Sequence, residues 1–291
     1  MKVGFIGLGS MGAPIARRLA RCDFDVIGCD IVPQMLQAFD EPKTTRSRDP
    51  IETAQLAEQL GICVRTDEQL VNLVDGGKLF AALGEGGLVI LHSTVSPNLA
   101  RELAALAGKH AVGFVDVGVS GGGPAAIEGK LSLFVGGEDA DVERARPWLD
   151  AIGKSMVHLG QVGKGLEAKL LNNLISIANY GMSAAIVDVA TALGFDRDTF
   201  IEALMSGSAQ SFALKVGPGF VRKRSGIGST SSFMGLHDLL KKDVDHCREL
   251  PPSDPVAMQA LLASCEVMLA RIKRAAEEVE TGADPTSPGA A

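Results

Sequence analysis

Residues 2–12 read KVGFIGLGSMG. A short run of strand formers leads straight into three glycines, Gly7, Gly9 and Gly12, spaced as GxGxxG. APIARRLARC follows, with apolar residues at helical spacing. Alone, the glycine pattern is weak; between a strand and a helix it is the fingerprint of a turn that receives a dinucleotide. The first glycine permits the tight turn. The second lets the backbone approach a pyrophosphate, and the third lets helix and strand pack closely. The phosphates would meet N–H groups at the helix N-terminus. Leu8, Ser10 and Met11 complete the loop and are expected to line the cofactor.

The same alternation continues downstream. FDVIGCD (24–30), LGICVR (60–65), GLVILHST (87–94), AVGFVDVG (111–118) and KLSLFVGG (130–137) read as strands. Helical patterns lie between them at 51–60, in EQLVNLVDGGKLFAAL (68–83) and in PNLARELAALAGK (97–109). Strand and helix in turn predict a largely parallel sheet covered by helices. From residue 164 the pattern changes to helices alone, at 165–193, 197–206, 232–249 and 254–274. The chain therefore divides into an α/β Rossmann-type dinucleotide-binding domain over residues 1–163 and an all-α domain over 164–291, opened by a long interdomain helix. The final TGADPTSPGAA is small, Pro-containing and aperiodic, and is expected to be a frayed tail.

Asp30 closes the second strand, eighteen residues after Gly12. A carboxylate there accepts hydrogen bonds from the adenosine ribose hydroxyls and repels a 2′-phosphate. The following IVPQ offers no Arg or Lys to neutralise one, which favours NAD over NADP. In a doubly wound sheet the ligand lies beyond the carboxyl ends of the strands. Arg65, Thr66 and Thr94 sit at such ends and read equally as cofactor neighbours or as ordinary loop caps.

Composition limits the partners. Lys and Arg number 28 against 35 Asp and Glu, a net charge of −7, which gives no support to a nucleic-acid or anionic-membrane partner. The basic RKR at 222–224 reads as solvated surface. No run of 18 apolar residues occurs, so no membrane span is expected. The N-terminal MKVGFIGLG lacks an apolar run before a cleavage site, so it does not read as a signal peptide. Five widely spaced cysteines without a CxxC suit free thiols in a reducing cytoplasm. The five histidines form no HExxH or tight cluster, so no metal site is expected.

Two further stretches carry chemistry. In DVGVSGGGPAAIEG (116–129), Ser120, Gly121 and Gly122 follow a strand. Consecutive glycines expose backbone N–H groups, the serine adds a hydroxyl, and together they could hold a small carboxylate. GKGLEAKLLNN (163–173) places Lys169 in an apolar helical pattern with Asn173 one turn later on the same face. The lysine stem could snorkel at a domain boundary. Alternatively, beside a nicotinamide, a neutral lysine amine could take the hydroxyl proton while the cofactor takes the hydride. Partial burial and a neighbouring cation would both favour that neutral form, and Asn173 would fix the geometry.

In these motifs the chain resembles the β-hydroxyacid dehydrogenases, the family of 3-hydroxyisobutyrate dehydrogenase and its tartronate semialdehyde and 6-phosphogluconate relatives. GFIGLGSMG resembles the family's cofactor motif, DVGVSGG its D-x-P-V-S-G-G, GKGLEAKLLNN its G-x-G-x-x-x-K-x-x-N-N, and KKD (241–243) its late K-D motif. The resemblance implies reversible hydride transfer between a small 3-hydroxy acid and a nicotinamide cofactor. It makes Lys169 the general acid/base, with Asn173 supporting the substrate and Ser120, Gly121 and Gly122 binding its carboxylate. It places Thr94 on the nicotinamide side, and Lys242, with Asp243 as partner, near cofactor and substrate. Homodimers or homotetramers formed through the helical domain are implied as well. Gly118 departs from the pattern, standing where the family usually has proline. CVRTDEQ (63–69) departs too, where a more apolar, Pro-containing loop is usual. Retention of Lys169 and Asn173 argues against the two alternatives, a reductase of C=N bonds and a non-catalytic dinucleotide-binding scaffold.

Overall fold

The computed structural model describes residues 1–216, 229–251 and 254–281. The RKR at 222–224 and all but the first residue of the C-terminal TGADPTSPGAA lie outside the described residues. The chain forms two units, Met1–Lys169 and Leu170–Ala291, which divide inside one helix.

The first unit holds an eight-stranded sheet: β1 (Lys2–Ile6), β2 (Asp25–Cys29), β3 (Thr44–Ser47), β4 (Gln59–Ile62), β5 (Leu88–Leu91), β6 (Gly113–Ser120), β7 (Leu131–Gly136) and β8 (Gly153–His158). Their order across the sheet is β3-β2-β1-β4-β5-β6-β7-β8. All pairs are parallel except β6 with β7. The order reverses between β1 and β4, so a crevice opens beyond the carboxyl ends of those two strands. Both faces of the sheet are covered, as a mostly parallel sheet requires. Along β5, Leu88 and Ile90 enter one core with Val3 and Phe5, while Val89 and Leu91 enter the other with Ile6 and Ile62.

The helices of this unit are α1 (Gly12–Arg21), α2 (Pro33–Ala38), α3 (Pro50–Gln55), α4 (Asp67–Val74), α5 (Lys78–Leu83), α6 (Pro97–Gly108), α7 (Gly122–Ile127) and α8 (Asp139–Ile152). The single helix expected over 68–83 is broken. Asp75, Gly76 and Gly77 take φ values of 44°, 63° and 103°, which end α4 and restart the chain as α5. Residues able to adopt left-handed backbone terminate helices in this way.

The second unit is helical: most of α9 (Lys164–Ala192), then α10 (Arg197–Ser206), α11 (Phe212–Val216), α12 (Thr230–Arg248) and α13 (Pro255–Glu280). Leu170, Leu174 and Ile177 of α9 pack in one core with Phe233 and Leu240 of α12 and Met268 and Ile272 of α13. On another face of α9 and just past its end, Leu171, Ile175, Met182, Ile186, Val189 and Leu193 are between 45% and 73% exposed. By length and composition alone α9 and α13 could cross a membrane, a test that core helices of soluble proteins also pass. All five cysteines are free thiols. Cys247 and Cys265 are buried, and their Sγ atoms donate to the Leu170 and Leu174 carbonyls of α9.

His92 lies just past β5, buried beside Phe5 and Trp148, whose Nε1–H donates to His92 Nε2 at 3.2 Å. That bond needs an unprotonated Nε2. Burial lowers the imidazole to about 4, partly offset by the backbone at Val117. Above pH ~6.5 the imidazole is neutral in both folded and unfolded chains and contributes no pH dependence. Below it, the unfolded chain takes up a proton that the folded chain refuses down to about pH 4. Stability attributable to His92 should therefore fall with pH across that window, by roughly 3 kcal/mol in total. Urea unfolding of wild type and His92→Gln at pH 7 and pH 5 checks this: the wild type should lose more stability than the variant, and equal losses would exclude the assignment.

Candidate active site

The glycine turn joins β1 to α1 at the reversal point of the sheet. Gly7 N–H donates to the Cys29 carbonyl of β2, and Cys63 N–H, just past β4, donates to Ile6. The turn is thus gripped by both neighbours of β1. Gly7 has φ +93°, and a Cβ there would collide with the Cys63 carbonyl. A Cβ on Gly12 would collide with the Gly7 carbonyl. These two glycines are demanded by packing. Gly9 differs: a Cβ built there meets nothing within 4 Å. Its open face, above an α1 first turn that has neither an acidic residue nor a side-chain cap, suits a pyrophosphate. Leu8 is buried, Met11 packs on the core, and Ser10 is exposed.

Asp30, half-buried beyond β2, accepts Leu8 N–H at 2.7 Å and Val32 N–H at 2.8 Å. Its carboxylate is thereby fixed against the glycine turn, and each oxygen keeps acceptor capacity for ribose hydroxyls. Beyond β4, Arg65 is exposed and its backbone N–H donates to Gln69 Oε1. Thr66 caps α4 by accepting Gln69 N–H at 3.1 Å, the capping role that its position allowed. Thr94 is half-buried between β5 and α6. Two residues without a role in the sequence reading tie these loops together. Ser93 Oγ accepts Val64 N–H at 2.8 Å, and Asp67 Oδ2 accepts Ser96 N–H at 3.1 Å. Their signal was faint, since Ser and Asp near helix starts are common anyway.

Ser120 ends β6, and Gly121 and Gly122 take φ values of 135° and 75° on entry to α7. The next glycine, Gly123, lies against the first motif: a Cβ on it would sit 3.4 Å from the Ser10 carbonyl. The two glycine stretches of the sequence are therefore neighbours. Lys169, half-buried, is the last residue of the first unit, and its stem crosses β6 at Gly118, where a Cβ would be 2.5 Å from Lys169 Cβ.

In the second unit, Asn173 Nδ2 donates to Asp243 Oδ2 at 2.6 Å, and Asn172 Nδ2 donates to Asn173 Oδ1 at 3.2 Å. Asp243 is buried, and Lys242 Nζ stands 3.4 Å from its other oxygen. The two late motifs, NN and KKD, are thus joined by hydrogen bonds that fix the orientation of the Asn173 amide.

Known proteins resemble this chain along most of its length. The sequence model for the NAD binding domain of 6-phosphogluconate dehydrogenase matches residues 2–163. The model for the NAD-binding domain of NADP-dependent 3-hydroxyisobutyrate dehydrogenase matches residues 163–287. An NAD-dependent L-serine dehydrogenase of Pseudomonas aeruginosa is 30% identical over 74% of this chain and 72% of its own. The mitochondrial 3-hydroxyisobutyrate dehydrogenase of Mus musculus is 28% identical over 80% of this chain and 70% of its own. In fold, the chain is like the 3-hydroxyisobutyrate dehydrogenase of Mycobacterium tuberculosis solved with L-serine, with a TM-score of 0.77 at 24% identity, covering 97% of this chain and 99% of that one.

The glycine geometry separates packing from binding. Gly9→Ala should fold with a melting temperature close to wild type, because its Cβ meets open space, and should lose dinucleotide affinity by roughly tenfold or more, because the methyl fills the cradle. Gly7→Ala should lose both, through left-handed strain and collision. Thermal melts and fluorescence titration with NADH measure the two effects. Unchanged NADH affinity in a folded Gly9→Ala would place the dinucleotide elsewhere.

Proposed function

Because the chain belongs to the β-hydroxyacid dehydrogenase family, an NAD(P)-dependent family of hydroxyacid oxidoreductases, we propose that it interconverts a small 3-hydroxy acid and its semialdehyde. One observation carries the reading. Strand β6 bears the Lys169 stem at Gly118 and ends in the Ser120 to Gly122 segment, and the next residue, Gly123, lies against the glycine turn at Ser10.

When bound, the dinucleotide supplies the hydride acceptor. The chain supplies the rest. Ser120 Oγ and the glycine N–H groups hold the substrate carboxylate. Lys169 takes the proton of the oxidised hydroxyl and returns it to the carbonyl in the reverse direction. Asn173, its amide oriented by Asp243 and Asn172, hydrogen-bonds the hydroxyl, and Lys242 adds positive charge. Asp30, held at the glycine turn, favours NAD; the relatives include both NAD- and NADP-dependent enzymes. Arg65 and Thr94 border the cofactor in this reading, and Thr66 holds the loop between them by capping α4. A small monocarboxylic acid such as 3-hydroxyisobutyrate or L-serine suits a clamp with little positive charge. Five free thiols suit a reducing compartment, here the cytoplasm.

Reduction of NAD and NADP, followed by absorbance over a panel of hydroxyacids including 3-hydroxyisobutyrate and L-serine, tests the reaction and the cofactor together. Expected is turnover of 3-hydroxy acids with a higher kcat/KM for NAD, a margin that Asp30→Ala narrows. Efficient turnover of simple alcohols, or preference for NADP, would overturn the corresponding part. Lys169→Ala should lower kcat by about 10²–10⁴-fold with NADH binding retained. Lys169→Arg should restore little, since a guanidinium does not deprotonate.

The exposed apolar row from Leu171 to Leu193 supports assembly into a homodimer or homotetramer through the helical unit. Light scattering should return a multiple of the single-chain mass, and Ile186→Glu should shift it towards the monomer. A wild-type protein that stays monomeric at micromolar concentration would refute the assembly.

A further inference from the structure

Asp116 has no exposed surface and sits within β6 among Gly, Phe, Val and Ser. Both of its oxygens are engaged. Oδ1 accepts the Gly163 N–H and Oδ2 the Leu166 N–H, each at 2.7 Å. These donors belong to the start of α9, where N–H groups have no partner within the helix. A carboxylate at a helix N-terminus is also favoured by the aligned peptide dipoles. Burial pushes the Asp116 carboxyl upward, and the two N–H groups oppose that shift.

The start of α9 is pressed onto the sheet. A Cβ on Gly165 would lie 2.5 Å from the Phe134 carbonyl of β7 and 2.7 Å from that of Asp116. Arg101 of α6 and Lys164 both pair with Glu167 in the same turn. Alternate residues of a strand share a face, so Asp116, Gly118 and Ser120 form one row along β6. Asp116 holds the first turn of α9. Gly118 meets the Lys169 stem, with its absent Cβ 2.5 Å from Lys169 Cβ. Ser120 is the next position in the row.

We infer that Asp116 is a positioning residue for Lys169. By holding the Gly163 and Leu166 N–H groups it fixes the first turn of α9 on β6. It thereby fixes the Lys169 stem, seated on Gly118, at a set height relative to Ser120. The inference rests on the reading of Lys169 as the acid/base and Ser120 as the carboxylate anchor. It adds that the spacing between them is set by a third residue that touches neither substrate nor cofactor. A displacement of about 1 Å in such a pair costs on the order of 10²-fold in rate, so one misplaced turn is enough to matter.

The test uses the full-length protein, NAD and whichever of 3-hydroxyisobutyrate or L-serine turns over faster. Asp116→Asn keeps the size of the side chain but sets an NH₂ group against one of the two N–H donors. Expected is a fall in kcat of about tenfold or more, with KM and NADH affinity changed less than about threefold. The lysine-linked limb of the kcat–pH profile should move by about half a unit or more. Hydrogen exchange over residues 163–169 should quicken. Introduced into Lys169→Ala, the same change should leave the residual rate unaltered, because it acts through the lysine. Wild-type kcat and pH profile in Asp116→Asn, unchanged exchange, or an additive loss in the double variant would overturn the positioning role with the Lys169 reading intact. Near-normal turnover of Lys169→Ala alone would instead sink the reading beneath it. If Asp116→Asn yields no folded protein, Gly118→Ala decides. Its Cβ displaces the lysine without touching the carboxylate, so a lowered kcat with a shifted profile supports the seat and wild-type kinetics overturn it.

Discussion

The first unit depends on places where a side chain is forbidden. At Gly7 and Gly12 the turn closes so tightly that a methyl group would meet a carbonyl oxygen. At Gly165 the start of α9 is pressed onto the backbone of β6 and β7 in the same manner. Both contacts bring backbone against backbone, and in both the helix that follows starts at a fixed height above the sheet. One supplies the dinucleotide turn and the other carries Lys169. Close packing of this kind transmits position faithfully, because a packed interior has little room to deform.

Around those contacts, polar groups are used sparingly and in pairs. Asp30 ties β2 to the glycine turn, Ser93 ties the β5 loop to the β4 loop, and Asp67 returns the tie to Ser96. Each accepts from a backbone N–H that would otherwise point into a crevice or lack a partner, and a buried donor left unmade is costly. The loops that border the crevice are therefore held to one another as well as to the sheet. In the helical unit Asp243 does the same for a side chain, fixing which end of the Asn173 amide faces which way.

Much of this was legible in the sequence because its signal is local. GxGxxG between a strand and a helix, GKGLEAKLLNN and the run of late helices all declare themselves within a few residues of chain. What was not legible depends on neighbours distant in sequence. TTRS and GKSMVH form β3 and β8 at the two edges of the sheet, with mixed or exposed patterns that acquire strand character only by pairing with β2 and β7. The antiparallel sense of β7 is likewise a property of the pairing. Helix α8 carries Pro147 in its interior, which argues against a helix when read locally. Asp116 was visible as a lone acid in an apolar strand, and such a residue is almost never buried without a partner. Its partners lie 47 and 50 residues away. The break within 68–83 was the reverse case: DGG announced it locally, and the apolar periodicity on either side outweighed it.

The cysteines have a practical corollary. Burial raises the thiols of Cys29 and Cys265 to about 11 and that of Cys247 to about 12. Only the thiolate reacts with an alkylating reagent, so burial and a raised thiol together slow the reaction of these sulfurs in the native protein. Cys29 lies in the sheet of the first unit, while Cys247 and Cys265 lie in the core of the second. The molecule thus carries a built-in clock in each half. The rate at which each sulfur becomes modifiable reads the opening of its own unit, so the same sample reports whether the two halves loosen together or one before the other.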